Sequence, residues 1–305
     1  MNHAATLPQV ERVEMDELPC WRIRTAAAEL LVAEQGAQIL SYQRDGEPPL
    51  IWLSEQAEFR RGQSVRGGVP VCWPWFGDLA RNPAGVRAMR EGEGEGPAPA
   101  HGEVRGRDWQ LLDIAKENGA VTLAFSLLLP SGGLPDWPHA LDLTLAIRLD
   151  ERLDLRLTTH NRGSYRVALS QALHTYLAVS DIREASIEGL DGLRYIETLE
   201  GWDERQQSGI LHFAGETDRI YLDTPPRLDL VDPGWKRRIC LEASGSHSAI
   251  VWNPWIDKAA RLSQFADDAW QRMLCIETAN VLDDAVELAP DQSATLALCL
   301  WSEPL

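Results

Sequence analysis

The chain has 305 residues, 44% of them hydrophobic and 25% charged, and its 46 acidic against 29 basic side chains give a formal charge of −17. That length suits one large all-β domain, with apolar content enough for a core that needs no disulfide or metal staple. The acidic balance excludes a general nucleic-acid binder and opposes docking on an anionic membrane, while the ample Leu, Val, Ile and Trp exclude disorder.

In chain order, residues 1–19 read as a lead-in. They show no basic stretch followed by an apolar run, so no secretory signal is expected. Period-two alternation predicts strands over 21–24 and 37–42, and Asp45-Gly46 is a hairpin-turn dipeptide. Residues 78–100 predict a flexible surface loop. Its tail, EGEGEGPAPA, is glycine-rich but carries three glutamates, and no helix follows it, so it is not a phosphate loop. Asn118-Gly119 predicts a second turn, leading into a strand over 121–129. Leu141, Leu143, Leu145, Ile147 and Leu149 alternate with polar or small residues. After Asp150-Glu151-Arg152, Leu153, Leu155 and Leu157 alternate again, the pattern of two half-buried antiparallel strands. Further strands are expected over 210–213, 248–252 and 294–301. A short helix is expected only over 257–270, opening after Pro254. Strands and helices do not alternate, which disfavours a parallel α/β fold and leaves an all-β antiparallel sandwich, with residues 1–305 as one domain.

No apolar run approaches the length needed to cross a bilayer. The five cysteines are odd in number, scattered and without a C-x-x-C pair, which reads as the reduced thiols of a cytoplasmic protein. H-E-x-x-H, G-x-S-x-G, EF-hand and P-loop patterns are all missing, so neither a metal site nor a nucleotide cofactor is expected. The twelve tryptophans fit core packing or sugar-stacking platforms, and composition leaves both open.

What carries chemistry is a set of polar residues in apolar or glycine-rich surroundings. Arg66 opens RGGVPVCWPWFG. His101 and Arg105 lie in HGEVRGRDW, with Arg105 expected just before a strand and Arg107 further along it. His174 interrupts the apolar run LHTYLAVSDI, Asp218 lies in GETDRIY, and Glu277 lies in the apolar stretch CIETANV. A carboxylate in such a stretch must be paired, hydrogen-bonded or shifted in pKa.

Together with VWNPWIDKA, these ordered segments resemble the glucose-6-phosphate 1-epimerases, the hexose-6-phosphate mutarotases of the aldose 1-epimerase superfamily. The resemblance runs from about residue 20 to the C-terminus. It implies a galactose-mutarotase-like β-supersandwich, two large antiparallel sheets packed face to face. It also implies roles: His174 as general acid at the sugar ring oxygen, Glu277 as general base, and Arg66, Arg105, Asp218 and His101 as substrate-binding residues. Two departures stand out. Glu103-Val104 replaces an aromatic-small pair of the family's HGFAR motif, and the segment between Gly77 and His101 is longer than usual, so the pocket rim is expected to differ.

The activity so implied is interconversion of the α and β anomers of a hexose 6-phosphate, foremost D-glucose 6-phosphate, without a cofactor. A base removes the anomeric hydroxyl proton and an acid protonates the ring oxygen, the two being expected on opposite sides of the sugar. The partner is a small hexose phosphate rather than nucleic acid or membrane. Two alternatives stay open: an aldose 1-epimerase acting on free hexoses, and a non-catalytic carbohydrate-binding β-sandwich.

Overall fold

The computed structural model describes residues 7–91 and 98–305, and regular structure among them is overwhelmingly antiparallel strand. The leucine-rich alternation is realised directly. Leu141–Leu149 and Leu153–Asn161 pair along their length, with Leu149 opposite Leu153. Every odd-numbered residue from Leu141 to Leu149 is buried. The connection closes tightly because the Asp150 carboxylate accepts the Arg152 backbone N–H. These two strands belong to a nine-stranded sheet that also holds Ala120–Leu129, Arg237–Ser244 and the long Ser293–Pro304 strand.

A second, eight-stranded sheet runs in the order Asp203–Gln206, Arg194–Glu197, Thr217–Leu222, Ser248–Asn253, Met273–Asn280, Gln171–Leu173, Val71–Cys72, with Tyr176–Ala178 also paired to Met273–Asn280. The two sheets share one core: Leu143, Leu145, Leu155 and Leu298 from the first meet Leu173, Val251 and Ile276 from the second. The Trp73 indole N–H donates across to Thr159 Oγ1. The other face of the eight-stranded sheet carries a separate cluster of Cys72, Ala172, Ile220, Ile250 and Ala279. That outward face, with small residues along one row, leaves room for a pocket.

Several expectations need correction. Within 1–19, Gln9–Met15 is a strand paired to Leu18–Arg24, at the edge of a four-stranded sheet. Its mostly polar, exposed residues hid it. The helix expected over 257–270 is only Trp255–Ala259, followed by irregular chain and a 3-10 turn at Ala269–Arg272. The helix ends at the Ala260 cap, Gln264 beyond it adopts a left-handed conformation through which no helix could continue, and the Asn253 amide ties Trp270 O and Met273 O back to the sheet. Asp45-Gly46 makes a turn, but the chain beyond it runs through single bridges rather than a second strand. Asn118-Gly119 is a two-residue hairpin turn, both residues at positive φ, joining Glu117 to Ala120. Of the loop expected over 78–100, Leu79–Arg81 is a 3-10 turn and Ala84–Arg87 a helical turn, with Leu79 and Val86 buried; residues 92–97 lie outside the described residues. Arg105 and Arg107 sit in turns rather than on one strand.

Candidate active site

The site is built by sheet register. On one side of a short break, Leu173 pairs with Thr278; on the other, Tyr176 pairs with Cys275. The register is unbroken, so His174 stands directly opposite Glu277. Ile250 pairs with Glu277 and Ile220 with Ile250, which extends the row across the sheet. Two residues along each strand, Asp218, Trp252, Cys275 and Tyr176 form a parallel row. Side chains two apart on a strand share a face. Period two thus brings residues from four strands onto one wall of a cavity of about 480 Å³.

His174 Nε2 lies 3.4 Å from Glu277 Oε1. The imidazole stacks on the Tyr176 ring, centroids 4.8 Å apart and planes 8° apart, with Trp252 edge-on to it. His174 Nδ1 and Glu277 Oε2 have no protein partner among the described residues although both are buried. Polar atoms so placed are costly unless something else meets them. Burial drives both groups toward their neutral forms. The imidazole falls well below the usual histidine range, helped by His101, Arg105 and Arg66 nearby. The carboxyl rises well above the usual glutamate range, helped by Asp218 and opposed by Arg105. The pair therefore holds one transferable proton and one free basic site. The two side chains are adjacent on one wall, not on opposite sides of a sugar. This suits a hemiacetal, whose ring oxygen and anomeric hydroxyl are bonded to the same carbon.

His101, Arg66 and Asp218 line the same cavity. His101 has a left-handed backbone, and its Nδ1 accepts the Gly77 N–H at 3.3 Å, which leaves Nε2 as the donor. Burial and the two arginines depress its pKa to about 3, so it stays neutral. A Cβ at the neighbouring Gly102 would fall 1.9 Å from Trp73 O, so only glycine lets the chain pass here. Arg66 reaches the Tyr176 hydroxyl at 3.5 Å. Burial lifts the Asp218 carboxyl to about 6, against the pull of Lys258. Arg105 is not among the cavity-lining residues. Its Nη2 donates to Ala100 O, and its charge acts on His101, His174 and Glu277. Glu103 does not form the rim either: it is partly buried near Arg107 and Arg90, and Val104 is core. Arg107 lines a different hollow, beside Glu91 and Asp136.

Sequence reasoning passed over Tyr176 and Trp252 as site residues, and over Phe76, Arg81, Trp202 and Lys258, which also line the cavity. The first two could have been found by counting two residues from His174 and from Ile250. Of the twelve tryptophans, Trp202 and Trp252 line the cavity, whereas Trp73, Trp75, Trp109 and Trp137 are core. Among the described residues one trio, His174, Cys275 and Glu277, has atoms within 4.8 Å of one another that could ligate a metal. Two of its members are the acid/base pair itself, and burial keeps the Cys275 thiol well above the usual range.

An antiparallel β-sandwich with a buried His/Glu pair on the outward face of one sheet has the arrangement of a sugar epimerase. Residues 19–301 match the aldose 1-epimerase family, and the chain belongs to that family, whose members are isomerases. It is 32% identical to an Escherichia coli (strain K12) protein provisionally named glucose-6-phosphate 1-epimerase, over 89% of this chain and 86% of that one. A similarly named protein of Cenchrus ciliaris is 30% identical over 92% of this chain and 83% of that one. A solved structure of a provisionally assigned mutarotase from Salmonella typhimurium superposes with a TM-score of 0.86 at 26% identity, covering 97% of this chain and 94% of that one. A galactose mutarotase-like protein from Clostridium acetobutylicum shares the fold, with a TM-score of 0.76 at 14% identity, covering 99% of each chain.

Proposed function

We propose that the protein interconverts the α and β anomers of a hexose 6-phosphate, foremost D-glucose 6-phosphate. The observation that carries this reading is the His174/Glu277 pair, 3.4 Å apart in one cavity, with a buried atom on each that has no partner among the described residues. Glu277 takes the proton of the anomeric hydroxyl while imidazolium His174 protonates the ring oxygen, and the hemiacetal C–O bond breaks. The aldehyde turns about C1–C2, and the same two groups exchange roles as the ring closes on the other face. The proton that burial places on Glu277 moves to His174 as the sugar enters. Each positioned proton transfer contributes roughly 10²–10⁴-fold.

The same geometry supports phosphate recognition. C6 is attached beside the ring oxygen, so a 6-phosphate projects on the His174 side of the pair. Arg66 lies on that side, bonded to Tyr176, and the charge of Arg105 is felt there too. Asp218, and His101 through its Nε2–H, would meet sugar hydroxyls. The names of the Escherichia coli and Cenchrus ciliaris relatives point to the same substrate. The test is an anomer-exchange assay across glucose, galactose and mannose 6-phosphates and the corresponding free sugars. The reading expects glucose 6-phosphate to lead and each phosphate to exceed its free sugar. Equal use of glucose and glucose 6-phosphate would transfer the assignment to a free-sugar epimerase.

A further inference from the structure

We infer that Arg81 is a second phosphate contact and a specificity-determining residue, carried over the pocket by the extended segment after Gly77; this rests on the hexose-phosphate reading above. The eight-stranded sheet has Val71–Cys72 at one edge and Asp203–Gln206 at the other. The chain leaves the first edge through Phe76 and Gly77 into the Leu79–Arg81 turn. At the second edge, Trp202 sits in the turn between Arg194–Glu197 and Asp203–Gln206. The Arg81 guanidinium lies over the Trp202 ring, 5.0 Å from its centroid. A single side-chain contact therefore joins the two edges across the cavity into which His174 and Glu277 open, and both of its members line that cavity.

The turn that presents Arg81 is held firmly. The Asp78 carboxylate accepts the Ala80 N–H, the Asn82 amide donates to Phe76 O and Asp78 O, and Leu79 is buried. Arg81 itself is exposed and, among the described residues, pairs with no carboxylate, in a chain with 46 acidic side chains. Trp202 is half-buried against the apolar cluster of the sheet's outward face, and a guanidinium resting on its indole is weakly held compared with one on a phosphate dianion. Arg66, before the Val71–Cys72 edge strand, and Arg81, after it, line the same cavity, so both are available to one bound phosphate. On binding, the Arg81 guanidinium moves from the indole to the phosphate.

The experiment compares the wild type with Arg81→Ala, Arg81→Lys and Trp202→Phe, using glucose 6-phosphate, glucose, and inorganic phosphate as a competitive probe. In Arg81→Ala the ratio of kcat/KM for glucose 6-phosphate to that for glucose should fall at least tenfold, through KM. The inhibition constant of inorganic phosphate should rise by a similar factor, and Arg81→Lys should recover part of both. Inorganic phosphate should change the tryptophan fluorescence of the wild type, and this change should be missing in Trp202→Phe. Proportional losses on both sugars, or unaltered phosphate inhibition in Arg81→Ala, would reduce Arg81 to a wall of the pocket and overturn the inference. Failure of the hexose-phosphate reading would show separately, as a wild type that does not prefer glucose 6-phosphate before any substitution is made.

Discussion

His174 and Glu277 are each shifted by burial in the direction that removes charge, and the consequences for pH can be read from those directions. The competent pair carries one proton. A second proton is added only when pH falls to the depressed histidine value, and the last is lost only when pH rises to the elevated glutamate value. The acid limb of kcat/KM should therefore lie well below pH 6.5 and the alkaline limb well above pH 4.5, with a plateau between. A pH–rate profile with its acid limb at an ordinary histidine value would show that the two groups titrate independently. Both residues were legible in the sequence because each is a polar group in an apolar stretch and each falls in a recognisable motif. Their contact was not legible. It depends on pairing Gln171–Ala178 with Met273–Asn280, and a register between segments a hundred residues apart is set by tertiary packing. Arg81 and Trp202 were still less visible, since each lies in a turn and they meet only because two sheet edges face the same cavity.

At the scale of elements, alternation was a good guide where one face of a strand is buried and the other partly solvated, as in Leu141–Leu149. It failed for Met273–Asn280, where all eight residues are buried and no alternation can show. It also failed for Gln9–Met15, an edge strand with little apolar content to alternate. Glycine spacing in RGG and HG proved to be structural as well as motif-defining. A Cβ at Gly68 would fall 2.0 Å from Ile39 O, and one at Gly102 1.9 Å from Trp73 O, both at positive φ. Gly102→Ala should destabilise the fold by more than the ~1–2 kcal/mol that left-handed backbone alone costs, because the clash is with backbone. It should also displace His101. Thermal unfolding of the variant within a degree or two of wild type would mean that this stretch can shift freely.

For the whole molecule, the charge of −17 repels a sugar phosphate, so the proposed recognition requires cations grouped near the pocket. A charge-assisted hydrogen bond contributes roughly 1.5–3 kcal/mol. Arg66→Ala should then lower kcat/KM for glucose 6-phosphate relative to glucose by one to two powers of ten, and a parallel loss on both sugars would remove Arg66 from phosphate recognition. The thiols should be bystanders. Burial pushes Cys20, Cys240 and Cys299 up to about 12 and raises Cys72 and Cys275 as well, and the thiolate is the reactive form. Mild alkylation at neutral pH and treatment with EDTA should both leave anomer exchange unchanged. Loss on chelation, restored by one divalent ion, would show that His174, Cys275 and Glu277 act as ligands instead. The central claim is the acid/base pair, and its most direct test is NMR exchange spectroscopy of the glucose 6-phosphate anomers with wild type, His174→Ala and Glu277→Gln at equal concentration. Wild type should accelerate exchange, and each folded variant should be slower by at least ~10²-fold. Exchange by either variant at close to the wild-type rate, or no acceleration by the wild type over buffer, would contradict it.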